Sequence, residues 1–335
     1  MTTTLVRCAD GDHTVELRDR ERVAERLLKA SARKSYDPEV DVDWSAPFDP
    51  ELFYLPPEAV SLYETPLWDR MTHEERVELS RHELVSMLSF GIWSEIMLMK
   101  GLLGHVYRAD PTTRHVAYAL TETADECRHS TMFGRFIGKT GLRPYRMAWP
   151  EFQIGKLAGL VDPPMAMFAA VLLVEEVTDA VQRVAMSDDR VQPLVRTISR
   201  IHVTEEARHI SYAREELKRQ VARTPRPLRR VQASGIAGVG IRMAPRLTRP
   251  AVYAAVGLDP RMAYRTAKSS PHRQATLRWA FRRATGFLTE IGIIEGPSAR
   301  IWRRTGMLST TDSPAPAPNG LPHRQHPTQR MDEAE

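Results

Sequence analysis

Cysteine is nearly absent from this 335-residue chain, and the two present, Cys8 and Cys127, offer no disulfide framework. That scarcity fits a reducing, cytoplasmic setting. Glycine is sparse as well, at 18 residues, and period-2 alternation is rare, which argues against a sheet protein. No run of 18 apolar residues offers a membrane span. The start of the chain lacks the basic and apolar regions of a signal peptide. No repeat of solenoid length appears, and no nucleic-acid motif. The net charge of +5 hides an asymmetry, because Arg214 to Arg304 holds 20 Lys/Arg and 5 Asp/Glu. Those arginines are spread through helical runs without interleaved aromatics. They read as solvated helix faces or salt-bridge partners of the acidic N-terminal half, with no call for a nucleic-acid or membrane partner. What the chain does have is a hydrophobic fraction of 42%, enough for one substantial core.

Along the chain the dominant period is helical. Residues 1–13 read as a loose N-terminus, and Val15–Lys34 as a charged amphipathic helix with Val23, Leu27 and Leu28 on one side. Ser35–Pro66 is too rich in proline for a continuous helix, yet Tyr36, Trp44, Phe48, Phe53, Tyr54 and Tyr63 are too aromatic for a linker. An extended arm packed over the bundle is expected there. Thr72 is a candidate N-cap for a helix through Leu103, with Glu74 and Glu75 in its first turn. Helices are then expected over Arg114–Lys139, Pro164–Met186, Val191–Val221 and Ser270–Thr289, with the TPRPLRR run at Thr224–Arg230 breaking the fourth. Residues 14–308 form a single helical domain in this reading. The proline-rich tail 309–335 is expected to be disordered.

The most informative stretch is IHVTEEARHIS, Ile201–Ser211. It places His202, Glu206 and His209 at offsets of four and three, and at about 100° per residue these share one helix face. Taken alone this could be a solvated stripe or a satisfied core histidine. A second copy makes that reading weaker: TADECRHS repeats the E-x-x-H spacing with Glu126 and His129. Both copies read acid-Glu-x-Arg-His, as Asp125 to His129 and Glu205 to His209. Di-metal carboxylate bundles take a Glu-x-x-His from each of two helices and a Glu from each of two others. Glu95 and Glu175 supply the latter, each inside an apolar helical run where an unpaired carboxylate is costly. Periodicity alone leaves Glu175 and Glu176 as alternatives.

Four carboxylates with two or three imidazoles form a hard-to-borderline ligand set suited to iron or manganese. Cys127 lies off the ligand face and reads as packing. Metal-bound imidazoles usually donate their other N–H to a carboxylate. Asp125 and Glu205 are placed to accept from the histidine of the partner helix, with Arg128 and Arg208 placed to pair with those acids. A substrate pocket would draw on Phe90, Trp93, Met97, Met99, Phe168 and Leu172.

The doubled acid-Glu-x-Arg-His is common to ferritin-like di-iron proteins, and the extra His202 is more selective. Val191–His209 resembles the corresponding helix of the AurF-like p-aminobenzoate N-oxygenases, a family with a third histidine ligand. The resemblance covers about residues 70 to 305 and is weak outside the motif helices. It implies an all-α, ferritin-like four-helix bundle with additional helices and a Pro-rich N-terminal arm. It also implies metal ligands Glu95, Glu126, His129, Glu175, His202, Glu206 and His209, choosing Glu175 over Glu176. The spacing from Glu95 to Glu126 is shorter than the family leads one to expect. The implied activity is O2-dependent N-oxygenation of an amine by two iron ions (manganese being able to replace them in vitro), with an external electron donor and a homodimer. Alternatives sharing such a site are a C-hydroxylase, a desaturase, a radical-generating subunit using Tyr118 or Tyr212, or a non-enzymatic iron-binding bundle.

Overall fold

The computed structural model describes residues 3–7, 14–149, 152–153, 164–304, 306–308, 318 and 320–322. Two antiparallel strands come first, β1 (Thr3–Arg7) and β2 (Thr14–Arg18), with Thr3 opposite Arg18 and Arg7 opposite Thr14. A loose terminus and a helix from Val15 were expected, and neither holds for these residues. The segment TVELR alternates polar and apolar, and two such short strands suffice for a hairpin. Helix α1 (Arg20–Arg33) begins only after Asp19, whose carboxylate accepts from the Arg22 N–H.

Residues 35–66 carry a short helix α2 (Pro38–Asp41) and a 3-10 turn at Pro57–Ala59. Phe53, Tyr54, Leu55, Val60 and Leu62 are buried. Phe53 makes a single parallel bridge to Val191, donating to the Arg190 carbonyl at 2.8 Å and accepting from Gln192 N–H at 2.9 Å. Glu58 takes the Arg190 guanidinium in two hydrogen bonds of 3.0 and 2.9 Å.

After α3 (Pro66–Arg70) come the four long helices: α4 (His73–Val106), α5 (Arg114–Lys139), α6 (Pro164–Ala185) and α7 (Pro193–Arg223). Thr72 starts α4 as expected, its hydroxyl accepting from Glu75 N–H while the Glu75 carboxylate accepts from Thr72 N–H. The longest contacts run between α4 and α5 and between α6 and α7, while α4 also meets α6 and α5 meets α7, closing a four-helix core. Helix α1 lies against α5 and α7. The remaining helices are α8 (Arg226–Leu247), α9 (Pro260–Ser269), α10 (Pro271–Glu290) and α11 (Gly296–Arg304). Of these, α8 and α10 pack on α6, and α11 packs on α8. The fold is therefore ferritin-like and, among the described residues, all-α apart from the hairpin and the Phe53–Val191 bridge.

Several basic residues of the C-terminal half have acidic partners on the bundle. Arg214 pairs with Glu176, and Arg283 reaches Asp179 at 3.2 Å. Most of 309–335 lies outside the described residues. At Leu321 and Pro322, however, the expected disorder gives way to docking: Leu321 is buried, and the Pro322 carbonyl accepts from the Trp279 indole at 3.0 Å. Among the described residues one helix, α4, is by length and composition apolar enough to cross a membrane, with a mean hydropathy of 1.2 over its best window. Its buried Glu83 and Glu95, and its contacts with α5 and α6, account for it as a core helix of the bundle.

Candidate metal centre

The facing turns of α5 and α7 bring both E-x-x-H copies together. One ligand atom from each of Glu126, His129, Glu206 and His209 lies within 4.8 Å of the others, and the same holds for Glu95, His129 and His202. All of these side chains are buried. The two imidazoles of the paired motifs are oriented alike. His129 turns Nδ1 to Glu126 (3.2 Å) and Glu206 (3.3 Å), and His209 turns Nδ1 to Glu126 (2.9 Å) and Glu206 (3.4 Å). Their Nε2 atoms point outward. His129 Nε2 meets Glu205 at 2.9 Å, and His209 Nε2 meets Asp125 at 3.2 Å. Each outer acid thus serves the histidine of the opposite helix. An Nε2–H donating outward leaves the Nδ1 lone pair facing the carboxylates, the tautomer a metal ligand needs.

The arginines of the motifs divide their work unequally. Arg208 reaches Asp125 at 3.3 Å and Glu205 at 3.6 Å, bridging the two acids. Arg128 pairs with Asp125 and also donates to Ser35 Oγ at 3.2 Å. The junction between α1 and the following segment completes this layer. The Lys34 carbonyl accepts from Arg208 at 3.1 Å, and Tyr36 N–H donates to Glu205 at 3.1 Å. No sequence pattern pointed to residues 34–36, because they meet the acids only through folding.

His202 stands one turn before Glu206, with Nε2 at 3.3 Å from Glu206 and 3.6 Å from Glu95. Its Nδ1 lies 2.7 Å from Gln182 Oε1, so Nδ1–H donates there and Nε2 carries the lone pair. Gln182 escaped notice in the sequence, although it lies seven residues after Glu175 and so shares its helix face. Ser130, which donates to Glu95 at 2.6 Å, was missed in the same way.

The two candidates on α6 separate cleanly. Glu176 is held by the Arg214 guanidinium, its Nε at 2.8 Å. Both oxygens of Glu175 are buried without a hydrogen-bond partner, and the residue lines the same cavity as Glu95, Glu126, His202 and Glu206. Glu83, the other buried acid on α4, lies elsewhere and accepts from Ser61 N–H at 3.0 Å. Cys127 is exposed, with Sγ 3.4 Å from Met99 Sδ.

Glu122 was absent from the sequence reading. It is buried, with neither oxygen partnered, one turn before Glu126. The signal was available, since Glu122, Glu126 and His129 repeat the four-three spacing of His202, Glu206 and His209.

Charge in the cluster is strongly redistributed. Burial alone would push His129 and His209 down, but the surrounding carboxylates outweigh it and hold both well above the ordinary imidazole value. Burial would raise Glu206, yet His202 and His209 hold it well below the usual carboxylate range. Glu122 and Glu175 go the other way, raised well above it by burial and then by neighbouring carboxylates. Unpartnered atoms at Glu206 Oε2 and both oxygens of Glu175 converge here beside the Glu126 Oε1–His209 Nδ1 pair, all of them buried. Buried polar atoms of this kind are satisfied by hydrogen bonds or by metal. The donor set, all oxygen and imidazole nitrogen, fits a pair of first-row ions.

A cavity of about 460 Å³ opens directly on the cluster. Phe90, Trp93 and Met97 line it as expected, joined by Leu98, Met167 and Val171. Met99, Phe168 and Leu172 are not among its lining residues. Phe168 faces the other way, its ring 5.3 Å from His105 and 6.1 Å from Tyr212.

A four-helix core with two crossed E-x-x-H helices and a buried carboxylate–imidazole cluster defines a ferritin-like protein built to hold a metal pair. Within that class the chain belongs to the P-aminobenzoate N-oxygenase AurF family, whose model matches residues 17–292. Uncharacterized proteins of Mycobacterium bovis and Mycobacterium tuberculosis are 28% identical over 209 residues, 60% of this chain. The match spans 61% of the length of those relatives. Among solved structures, the R2-like ligand-binding oxidase from Sulfolobus acidocaldarius aligns at 15% identity and TM-score 0.41, covering 80% of this chain and 92% of its own. A variant R2-like ligand-binding oxidase with a reconstituted Mn/Fe cofactor aligns at 15% and 0.42, covering 85% and 96%.

Proposed function

We propose that this chain is a non-haem di-iron monooxygenase that uses O2 to oxidise the nitrogen of an amine, an aryl amine carried through hydroxylamine towards the nitro level. Family membership supports an oxidoreductase. The single observation that carries the finer reading is His202. Gln182 accepts from its Nδ1–H and so orients it with Nε2 facing Glu95 and Glu206 beside the cavity. A neutral third imidazole adds a donor without adding negative charge. Glu95, Glu126, His129, Glu175, His202, Glu206 and His209 would hold the metals, which supply the redox chemistry on O2. Insertion of one oxygen atom, with the other reduced to water, consumes two electrons per cycle, so an external donor is part of the reading.

The protein supplies the rest. Asp125 and Glu205 hold the two motif histidines in the tautomer that presents Nδ1 inward. Phe90, Trp93 and Met97 wall the cavity with apolar surface that excludes water and accepts an aromatic ring. Lys100 and Arg242, both exposed, sit where the cavity lining reaches the surface. An amine bearing an acidic group at its far end would be turned nitrogen-first towards His202.

His202→Ala tests the assignment. Iron per chain should fall little, since the other donors remain. Oxygenated products from an aryl amine, followed by mass spectrometry under single-turnover conditions, should be lost. Unchanged product formation would reduce His202 to a core histidine. One observation favours a second reading, a radical-generating oxidase: Tyr118 is fully buried with an unpartnered hydroxyl, its ring 4.9 Å from that of Tyr212. A tyrosyl radical signal on exposing the reduced protein to oxygen, without amine oxidation, would select it.

A further inference from the structure

The acid-Glu-x-Arg-His segments of α5 and α7 answer each other as a local two-fold, which breaks in ligand type one turn earlier. Asp125 answers Glu205, Glu126 answers Glu206, Arg128 answers Arg208 and His129 answers His209. One turn earlier, His202 on α7 is answered by Glu122 on α5. His202 belongs to the half of the cluster near Glu95 and His129, its ring 4.5 Å from that of His129. The symmetry places Glu122 in the other half, with Glu175 and His209.

Glu122 is sealed in the core without a hydrogen bond. Its exposure is 1%, and neither oxygen has a hydrogen-bond partner. The guanidiniums of Arg128 and Arg208, on the same two helices, are engaged by Asp125 and Glu205. A carboxyl sealed from water without a partner is costly unless a hydrogen bond or a metal ion satisfies it. The same condition, both oxygens bare, holds at Glu175.

We infer that Glu122 is a further metal ligand, a carboxylate that completes the coordination of the ion held by Glu175 and His209, as His202 does for the ion beside Glu95 and His129. The two halves of the centre then differ in kind. One has an additional neutral donor and the other an additional anion. Four carboxylates neutralise two divalent ions, and a fifth leaves one surplus negative charge that is balanced once one of the two ions is trivalent. The Glu122 half is accordingly the better host for a trivalent ion.

This inference rests on the two-metal reading of the site, and the experiment separates them. Parent, Glu122→Gln and Glu122→Ala proteins are stripped of metal, melted, and titrated anaerobically with Mn2+ and with Fe2+, reading ions bound per chain and the affinity of each. The parent should bind two ions; if it binds none, the two-metal reading itself fails. With the parent binding two, Glu122→Gln should melt, metal-free, no lower than the parent, because a partnerless carboxyl is replaced by a neutral amide of the same shape. It should keep one ion at parental affinity and bind the other at least about tenfold more weakly, the lower bound for losing even an indirect contact to a ligand. Glu122→Ala should behave alike and so guards against the amide acting as a ligand. Two ions at parental affinity in both variants overturn the assignment. So does a metal-free variant of each kind that melts well below the parent and loses both ions together, which would make Glu122 a structural residue.

Discussion

Removal of the charge on Asp125 should damage one metal site and spare the other. Asp125 accepts from His209 Nε2 at 3.2 Å, from Arg208 at 3.3 Å, and from Arg128. In Asp125→Asn the amide oxygen can still accept from the imidazole, so ring orientation survives while the negative charge does not. Arg208 keeps Glu205 and the Lys34 carbonyl, and Arg128 keeps Ser35 and is partly exposed. Neither cation is left bare, so the fold should lose less than the roughly 3–5 kcal/mol typical of a broken buried pair. The main effect falls on His209, whose basicity as a ligand drops. Loss of such a partner typically weakens metal binding about 10–100-fold, or roughly 1.4–2.7 kcal/mol. His129 leans on Glu205 and is untouched. An anaerobic Mn2+ titration should therefore show one weakened and one normal ion. Equal weakening of both, or of neither, would refute the crossed pairing.

The same residue carries a pH signature. Burial would raise Asp125, but His209, Arg128 and Arg208 hold it below its usual value. A depressed carboxylate contributes stability above its unfolded pKa of about 3.9, lost as pH falls through the lower folded value. The acid limb of metal-free unfolding should be shallower in Asp125→Asn than in the parent.

On α6, Glu175→Gln should lower metal content, whereas Glu176→Gln should leave it intact and lower the melting temperature by loosening Arg214. Equal metal loss in both would mean the two glutamates are not distinguished in this way. His129 and His209 are held above their ordinary pKa without metal, so each keeps its extra proton more tightly than a free imidazole and must give it up as an ion binds. Metal affinity should rise with pH through neutrality, and calorimetry at one pH in buffers of different ionisation enthalpy should register net proton release. Buffer-independent heats would contradict this.

Local sequence exposed the parts of the site that repeat on a single helix. The doubled E-x-x-H identified Glu126, His129, Glu206 and His209, and the adjacent acids and arginines could be given partners because ligand chemistry demands them. Helix limits at Thr72, Arg114 and Lys139 were legible from caps and punctuation. What escaped was of two kinds. Gln182 and Ser130 are ordinary polar residues whose role depends on which neighbouring helix they face. Glu122 obeyed the spacing rule, but a glutamate where the other copy has histidine does not read as a repeat. The N-terminal hairpin was overridden by the stronger helical period that follows it.

The seam at residues 34–36 bears on how long a bound ion stays. Lys34, Ser35 and Tyr36 close the outer side of the Asp125–Glu205 layer through single hydrogen bonds to Arg208, Arg128 and Glu205. Lys34 and Ser35 are themselves exposed. Segments tied in this way open locally at far less free energy than global unfolding requires. Metal residence is then a question of kinetics as well as affinity. A chelator should strip the centre at the opening rate of this seam, while the ligand set fixes only the equilibrium it returns to.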